Sequence, residues 1–218
     1  AINKTNIAIN FKSDLIRIYL LKEYGGIYLD SSIILFESLD WIYKTTEDII
    51  IYKANNWTTN NDFPVMESWF ICAKKNQPFI KKSYDLLMNF FNTNLNELDF
   101  IKLKNKKEIK NTKFGVHGKY HLIYFIFIYI YQKYNINNIK FLDCDWNNFP
   151  CKFLQDNHTE LKKLFTDTIS ENDYNKLLEN KMLKFTGSNR KFIETLKVNK
   201  NSFIYKLNKN YKLNINML

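Results

Sequence analysis

Arginine is nearly missing from this chain: Arg17 and Arg190 stand against thirty lysines. Where lysine supplies charge almost everywhere, an arginine marks a point that needs a planar, forked donor. Glycine and proline are scarce too, with five and three residues in 218. That excludes a long low-complexity linker, and the wealth of Phe and Tyr argues for an ordered globular chain. Cys72, Cys144 and Cys151 have no CxxC spacing and no histidines beside them. Neither a disulfide framework nor a zinc site is therefore expected, and a reducing cytoplasm suits them. The most apolar run, residues 122–131, is about half as long as a membrane-spanning helix. The first twelve residues, AINKTNIAINFK, hold no signal-peptide core.

What is present has its centre in residues 13–32, SDLIRIYLLKEYGGIYLDSS. Ser13 reads as a helix N-cap and Asp14 as a first-turn acid favoured by the helix dipole. Leu15, Ile16, Ile18, Tyr19, Leu20 and Leu21 cover nearly the whole circumference, so the helix is expected to be buried on most sides. Gly25 and Gly26 stop it, because glycine takes the left-handed conformation that helix ends need. Ile27, Tyr28 and Leu29 then form a short apolar strand that delivers Asp30 at its carboxyl end. In open α/β sheets ligands bind at that edge. Asp14 and Arg17 lie three residues apart and share a helix face. One reading of them is a buried ion pair that fixes the helix, and another is a site.

The same residues resemble the capsular polysaccharide synthesis proteins and, more widely, the sugar-transferring glycosyltransferases of family 32. That pattern is a Ser-Asp-x-x-Arg helix, a Gly-Gly pair, a short apolar strand and an Asp-x-Asp motif. The resemblance implies a GT-A-like fold, a Rossmann-related mixed sheet flanked by helices, with a helical C-terminal part. It implies transfer of a sugar from a nucleotide-diphosphate donor, with retention at the anomeric carbon. By the resemblance Asp14, Arg17 and Asp30 are the catalytic set. Tyr28, Ser31 and Ser32 join them around the donor, and Asp14 and Arg17 meet sugar hydroxyls. Asp30 and Ser32 are the candidate ligands of a divalent cation, Mn²⁺ or Mg²⁺, expected to bind together with the nucleotide. Ser32 stands where the wider pattern has its second acid, and a hydroxyl is a weaker ligand for such hard ions.

Relatives of this kind carry a strand–helix–strand unit ahead of the Ser-Asp-x-x-Arg helix, whereas only twelve residues precede Ser13 here. Either the chain is an N-terminally truncated fragment or the base is recognised differently. Residues 1–218 are otherwise read as one domain, with a donor-site core at 1–75 and a helical, acceptor-side part at 76–218.

Further along, residues 33–36, 48–53, 66–74 and 138–146 read as strands. A helix opening at Pro78 is expected to run to about residue 92. Residues 95–110 suggest an amphipathic helix with a basic face, and 119–134 a core helix. Trp57 sits in a polar loop, where an aromatic can stack on a sugar or base but more often anchors the loop. Glu67 is the acidic candidate on the acceptor side, against the plainer reading of an exposed carboxylate at a strand start. His117, between Gly115 and Gly118, is a loop histidine able to approach a ligand. Asp143 and Asp145 repeat the Asp-x-Asp spacing and compete with Asp30 for a metal, although their place late in the chain and before a proline favours an acceptor-side or structural role. Ser170 and Asp173 form a capping pair. Residues 183–192 read as a loop that carries Arg190 and Lys191, candidates to close over a diphosphate.

The formal charge of +10 favours anionic partners. The lysines are scattered and no nucleic-acid motif accompanies them, so no nucleic-acid partner is expected. Three functions follow. The first is a glycosyltransferase acting on a saccharide or lipid-linked acceptor in surface polysaccharide synthesis. The second is a non-catalytic nucleotide-sugar or glycan binding module. The third is a basic scaffold on an anionic membrane surface. All three are compatible with a cytoplasmic chain that touches a membrane only peripherally.

Overall fold

The structure is a computed structural model that describes residues 7–93, 97–109, 112–113, 118–144, 149–153 and 158–211. Its first half runs α1 (Ile9–Tyr24), β1 (Gly26–Leu29), β2 (Ile33–Leu35), β3 (Ile49–Lys53), β4 (Met66–Ala73), α2 (Pro78–Asn92) and α3 (Glu97–Lys104). Then follow α4 (Leu122–Lys133), β5 (Ile139–Asp143), α5 (His158–Thr166), α6 (Glu171–Leu178), β6 (Met182–Lys184), α7 (Gly187–Ile193) and α8 (Phe203–Tyr211). Short 3₁₀ turns fill Leu39–Lys44, Asn55–Trp57, Lys107–Ile109 and Gly118–His121. The chain divides into two compact units, Ala1–Asp30 with Trp41–Asp143, and Ser31–Asp40 with Cys144–Leu218.

The first unit is a mixed α/β layer. Its sheet has the order β1-β4-β3-β5, with β4 antiparallel to both neighbours and β3 parallel to β5. Ile49 lies opposite Ala73 and Ile51 opposite Ile71, and all four join the core that α1, α2 and α4 cover. Helix α4 is apolar on every side and buries Leu122, Ile123, Phe125, Ile126, Phe127 and Ile128. Pro78 opens α2, where its missing N–H costs nothing. The second unit pairs β2 antiparallel with β6 and sets α5 and α8 around Phe36, Phe153, Leu161, Phe165 and Phe203. Ser170 caps α6 by accepting from the Asp173 amide, as its spacing implies.

Three local readings are corrected. Helix α1 begins at Ile9, not Ser13, and its N-cap Ala8 makes no side-chain bond. Burial of Ile7 and Phe11 in the core draws that segment into the helix, so Ser13 and Asp14 sit past the first turn. Residues 183–192 are not a loop: β6 ends there and α7 starts, closed by a capping box between Thr186 and Asn189. Cys144 and Cys151 are disulfide-bonded, with Cα atoms 5.4 Å apart, so the cysteines no longer argue for a reducing compartment. Cys72 alone is a thiol, pushed up in pKa by burial.

Candidate functional site

Gly25 makes the site possible. Its φ is +69°, and a Cβ there would come within 2.6 Å of the Lys75 amide nitrogen and 3.0 Å of the Ala73 carbonyl. Only glycine lets the end of α1 pass this close to β4 and reverse into β1. The register then sets Leu29 opposite Phe70, and the Asp30 amide donates to the Trp69 carbonyl at 2.9 Å. Asp30 therefore leaves the sheet beside the middle of β4.

Arg17 reaches this point from α1 and is 8% exposed. Its Nη1 donates to the Ser68 carbonyl at 2.8 Å and to Ser68 Oγ at 3.2 Å. Its Nη2 donates to Ser13 Oγ at 3.2 Å and lies 3.3 Å from Asp14 Oδ1. Asp30 Oδ1 is 3.5 Å from Nη1, and the Tyr28 ring lies under the guanidinium at 4.5 Å. The Tyr28 hydroxyl donates to Asp30 Oδ1 at 2.9 Å. The buried Arg17 Nε has no hydrogen-bond partner among the described residues. Six protein groups thus orient one guanidinium in a way an ammonium could not reproduce.

The electrostatics are those of crowded acids in a dry place. Burial raises Asp14 to about 7, Arg17 offsets part of that, and the Asp30 charge adds to the rise. Burial also lifts Tyr28 to about 12. The Asp30 side chain is a quarter exposed, so the cluster has one face open to solvent.

Glu67 is not an exposed carboxylate. It is 5% exposed and accepts the Tyr124 hydroxyl at 2.8 Å, because α4 lies over this end of β4. Burial and the Glu67 charge hold the Tyr124 hydroxyl protonated, and Asp14 adds to the effect. The Tyr124 ring meets His121 edge-on at 5.6 Å, and His121 meets Trp57 at 5.2 Å. Trp57 is therefore a packed anchor. Ser68 and Tyr124 carry no motif in the sequence, whereas His121 stands one helical turn beyond His117 there, and the fold sets it against Tyr124.

The other candidates fall elsewhere. Asp143 is held by Lys53 at 3.3 Å and Asn55 at 3.2 Å, while Asp145, Gly115 and His117 lie outside the described residues. In the second unit Arg190 is exposed on α7, and Ser31 is exposed. Ser32 Oγ accepts Lys184 Nζ at 2.6 Å, a bond that strand β6 creates. A divalent cation at Ser32 would meet an ammonium already on that oxygen, so this residue does not fit a metal ligand. Among the described residues no group of three His, Cys, Asp or Glu side chains is placed to hold a metal ion. No helix among them is long and apolar enough to cross a membrane.

Comparison with sequence families matches residues 1–207 to the capsular polysaccharide synthesis proteins. The chain belongs to that family. No curated protein and no solved structure matches it.

Proposed function

We propose that this member of the capsular polysaccharide synthesis family is a glycosyltransferase. It moves a sugar from a nucleotide-diphosphate donor to a saccharide or lipid-linked acceptor, with retention at the anomeric carbon. The observation that carries the reading is the Arg17 guanidinium, ordered by Ser68, Ser13 and Tyr28 between the carboxylates of Asp14 and Asp30. A structural ion pair needs one carboxylate, not two plus a stacked ring. The open side at Asp30 suits a polyhydroxylated ligand, because ionised acceptors and fixed donors recognise hydroxyls by charge-assisted hydrogen bonds.

In this reading Asp14 and Arg17 bind the hydroxyls of the donor sugar. Asp30, at the carboxyl end of β1, marks the edge of the pocket, and Tyr28 holds both Arg17 and Asp30 in place. Glu67, braced by Tyr124, stiffens the acceptor side. A GT-A-like architecture and kinship with glycosyltransferase family 32, with Ser32 in the second position of its acidic motif, belong to the same proposal. So do a cytoplasmic location and a peripheral contact between the lysine-rich surface and anionic lipid.

The test is release of nucleoside diphosphate from a panel of sugar nucleotides by the purified chain. Turnover of at least one donor, lost in Asp30→Asn and Arg17→Lys, is the expected result. Donor binding without turnover, with or without an acceptor glycan, would favour the non-catalytic binding module instead. No binding of any sugar nucleotide would refute both.

A further inference from the structure

We infer that Tyr124 is a positioning residue for the donor site: acting through Ser68, it holds the Arg17 fork in the geometry that a sugar nucleotide meets. This rests on the donor reading above, and every residue it uses belongs to the first unit. The starting point is a break in the sheet. The β1 ladder ends where Leu29 faces Phe70, and the β3 ladder jumps from Ile51 opposite Ile71 to Lys53 opposite Met66. One residue of β3 therefore spans residues 67–70 of β4. Bulges of this kind re-aim side chains beside active sites. Ser68 stands in neither register, and its carbonyl accepts Arg17 Nη1 at 2.8 Å.

The hydroxyls beside that carbonyl form a chain with one direction. Tyr124 has a single O–H, and it donates to Glu67 Oε2 at 2.8 Å. The Ser68 side chain is hydrogen-bonded to the same Tyr124 oxygen, so in that bond the Ser68 O–H is the donor. The Ser68 oxygen is then left to accept, and it takes Arg17 Nη1 at 3.2 Å. The order is Arg17 to Ser68 to Tyr124 to Glu67, ending on a carboxyl group. Buried bonds in such a series polarise and strengthen one another.

This matters because Nη1 has two hydrogens and three acceptors near it. The Ser68 carbonyl and hydroxyl lie closer, and Asp30 Oδ1 is the farthest at 3.5 Å. Without the Tyr124 oxygen the Ser68 hydroxyl can turn its proton toward Arg17, and Nη1 swings onto Asp30. The two groups that face the donor would then close on each other. Helix α4 thus sets the spacing of Arg17 and Asp30 from behind the sheet edge, with no contact to the donor required of Tyr124 itself.

Two measurements on the full chain test this. Arginine-selective ¹⁵N spectra hold signals from Arg17 and Arg190 alone. A guanidinium held on both arms gives separate Nη1 and Nη2 signals, whereas a rotating one averages them. The Arg17 pair should be separate in wild type and merged in Tyr124→Phe. Calorimetric titration with UDP-glucose, UDP-N-acetylglucosamine and GDP-mannose reads the consequence for binding. The Kd of a donor that binds should rise about tenfold in Tyr124→Phe, but less than about twofold when the same change is made in Ser68→Ala, where the link is already cut. If Tyr124→Phe fails to fold, Ser68→Ala alone must merge the Arg17 signals and raise Kd. Arg17 signals already merged in wild type, an unchanged Kd in a folded Tyr124→Phe, or an equal loss in the Ser68→Ala background overturns the inference and leaves the donor reading standing. If wild type binds no sugar nucleotide, the donor reading falls and takes this inference with it.

Discussion

At the scale of the residue, Arg17 is where chemistry and fold meet. Lysine at that position would keep the charge but lose the fork that spans Ser68, Ser13 and the two carboxylates. Arg17→Lys is expected to lower kcat/KM for the donor by roughly 100-fold, a loss on the order of 3 kcal/mol in the range of charge-assisted bonds. An unchanged kcat/KM would demote Arg17 to a structural cation. Asp14 adds a pH dependence. Its pKa rises from 3.8 in the unfolded chain to about 7 in the fold, mainly through burial. The folded state then holds the extra proton, so this residue makes stability fall as pH rises from about 4 to about 7 and stay level above. At about 1.4 kcal/mol per unit the loss is on the order of 4 kcal/mol. Asp14→Asn should flatten that slope in denaturant midpoints measured across the range. Sugar hydroxyls prefer to donate to the ionised form, so donor affinity should move the other way and improve as pH rises through 7. Donor affinity that is flat from pH 6 to 8 would remove Asp14 from the site.

At the scale of the element, what could be read in advance was whatever a local rule settles. The Gly-Gly stop, the helix opening at Pro78 and the Ser170 cap each rest on a few neighbouring residues, and each stands where expected. Ser13 also looked like a cap, but distant burial of Phe11 extended the helix past it and left its hydroxyl to Arg17. Strand β6 and helix α7 were not legible, since three residues carry no period and the ribbon forms only through pairing with a segment about 150 residues away. Glu67 lies in the expected strand but is buried, an environment not legible in the sequence because only the packing of α4 brings Tyr124 over it. Gly25 tests the element directly. Gly25→Ala must tolerate a φ of +69° and a contact at 2.6 Å with backbone. Its cost should be about 2–4 kcal/mol. A chemical denaturation curve shifted by less than about 0.5 kcal/mol would show that the turn relaxes.

At the scale of the molecule, two units share a chain whose segments interleave: residues 31–40 leave the first unit to pair with β6 in the second. The motif that carries the family resemblance therefore ends in a different unit from the one in which it starts. Membership of the capsular polysaccharide synthesis family gives the chain its biological setting. The central claim remains that Arg17 sits in the donor site, and the scarcity of arginine makes it directly measurable. With arginine alone labelled by ¹⁵N, the side-chain Nε–H spectrum should hold two signals, one each from Arg17 and Arg190, and Arg190→Lys assigns them. Adding the sugar nucleotide that the chain turns over should shift the Arg17 signal, whose Nε has no partner among the described residues, and the shift should persist in Arg190→Lys. A saturating donor that leaves the Arg17 signal in place would contradict the account.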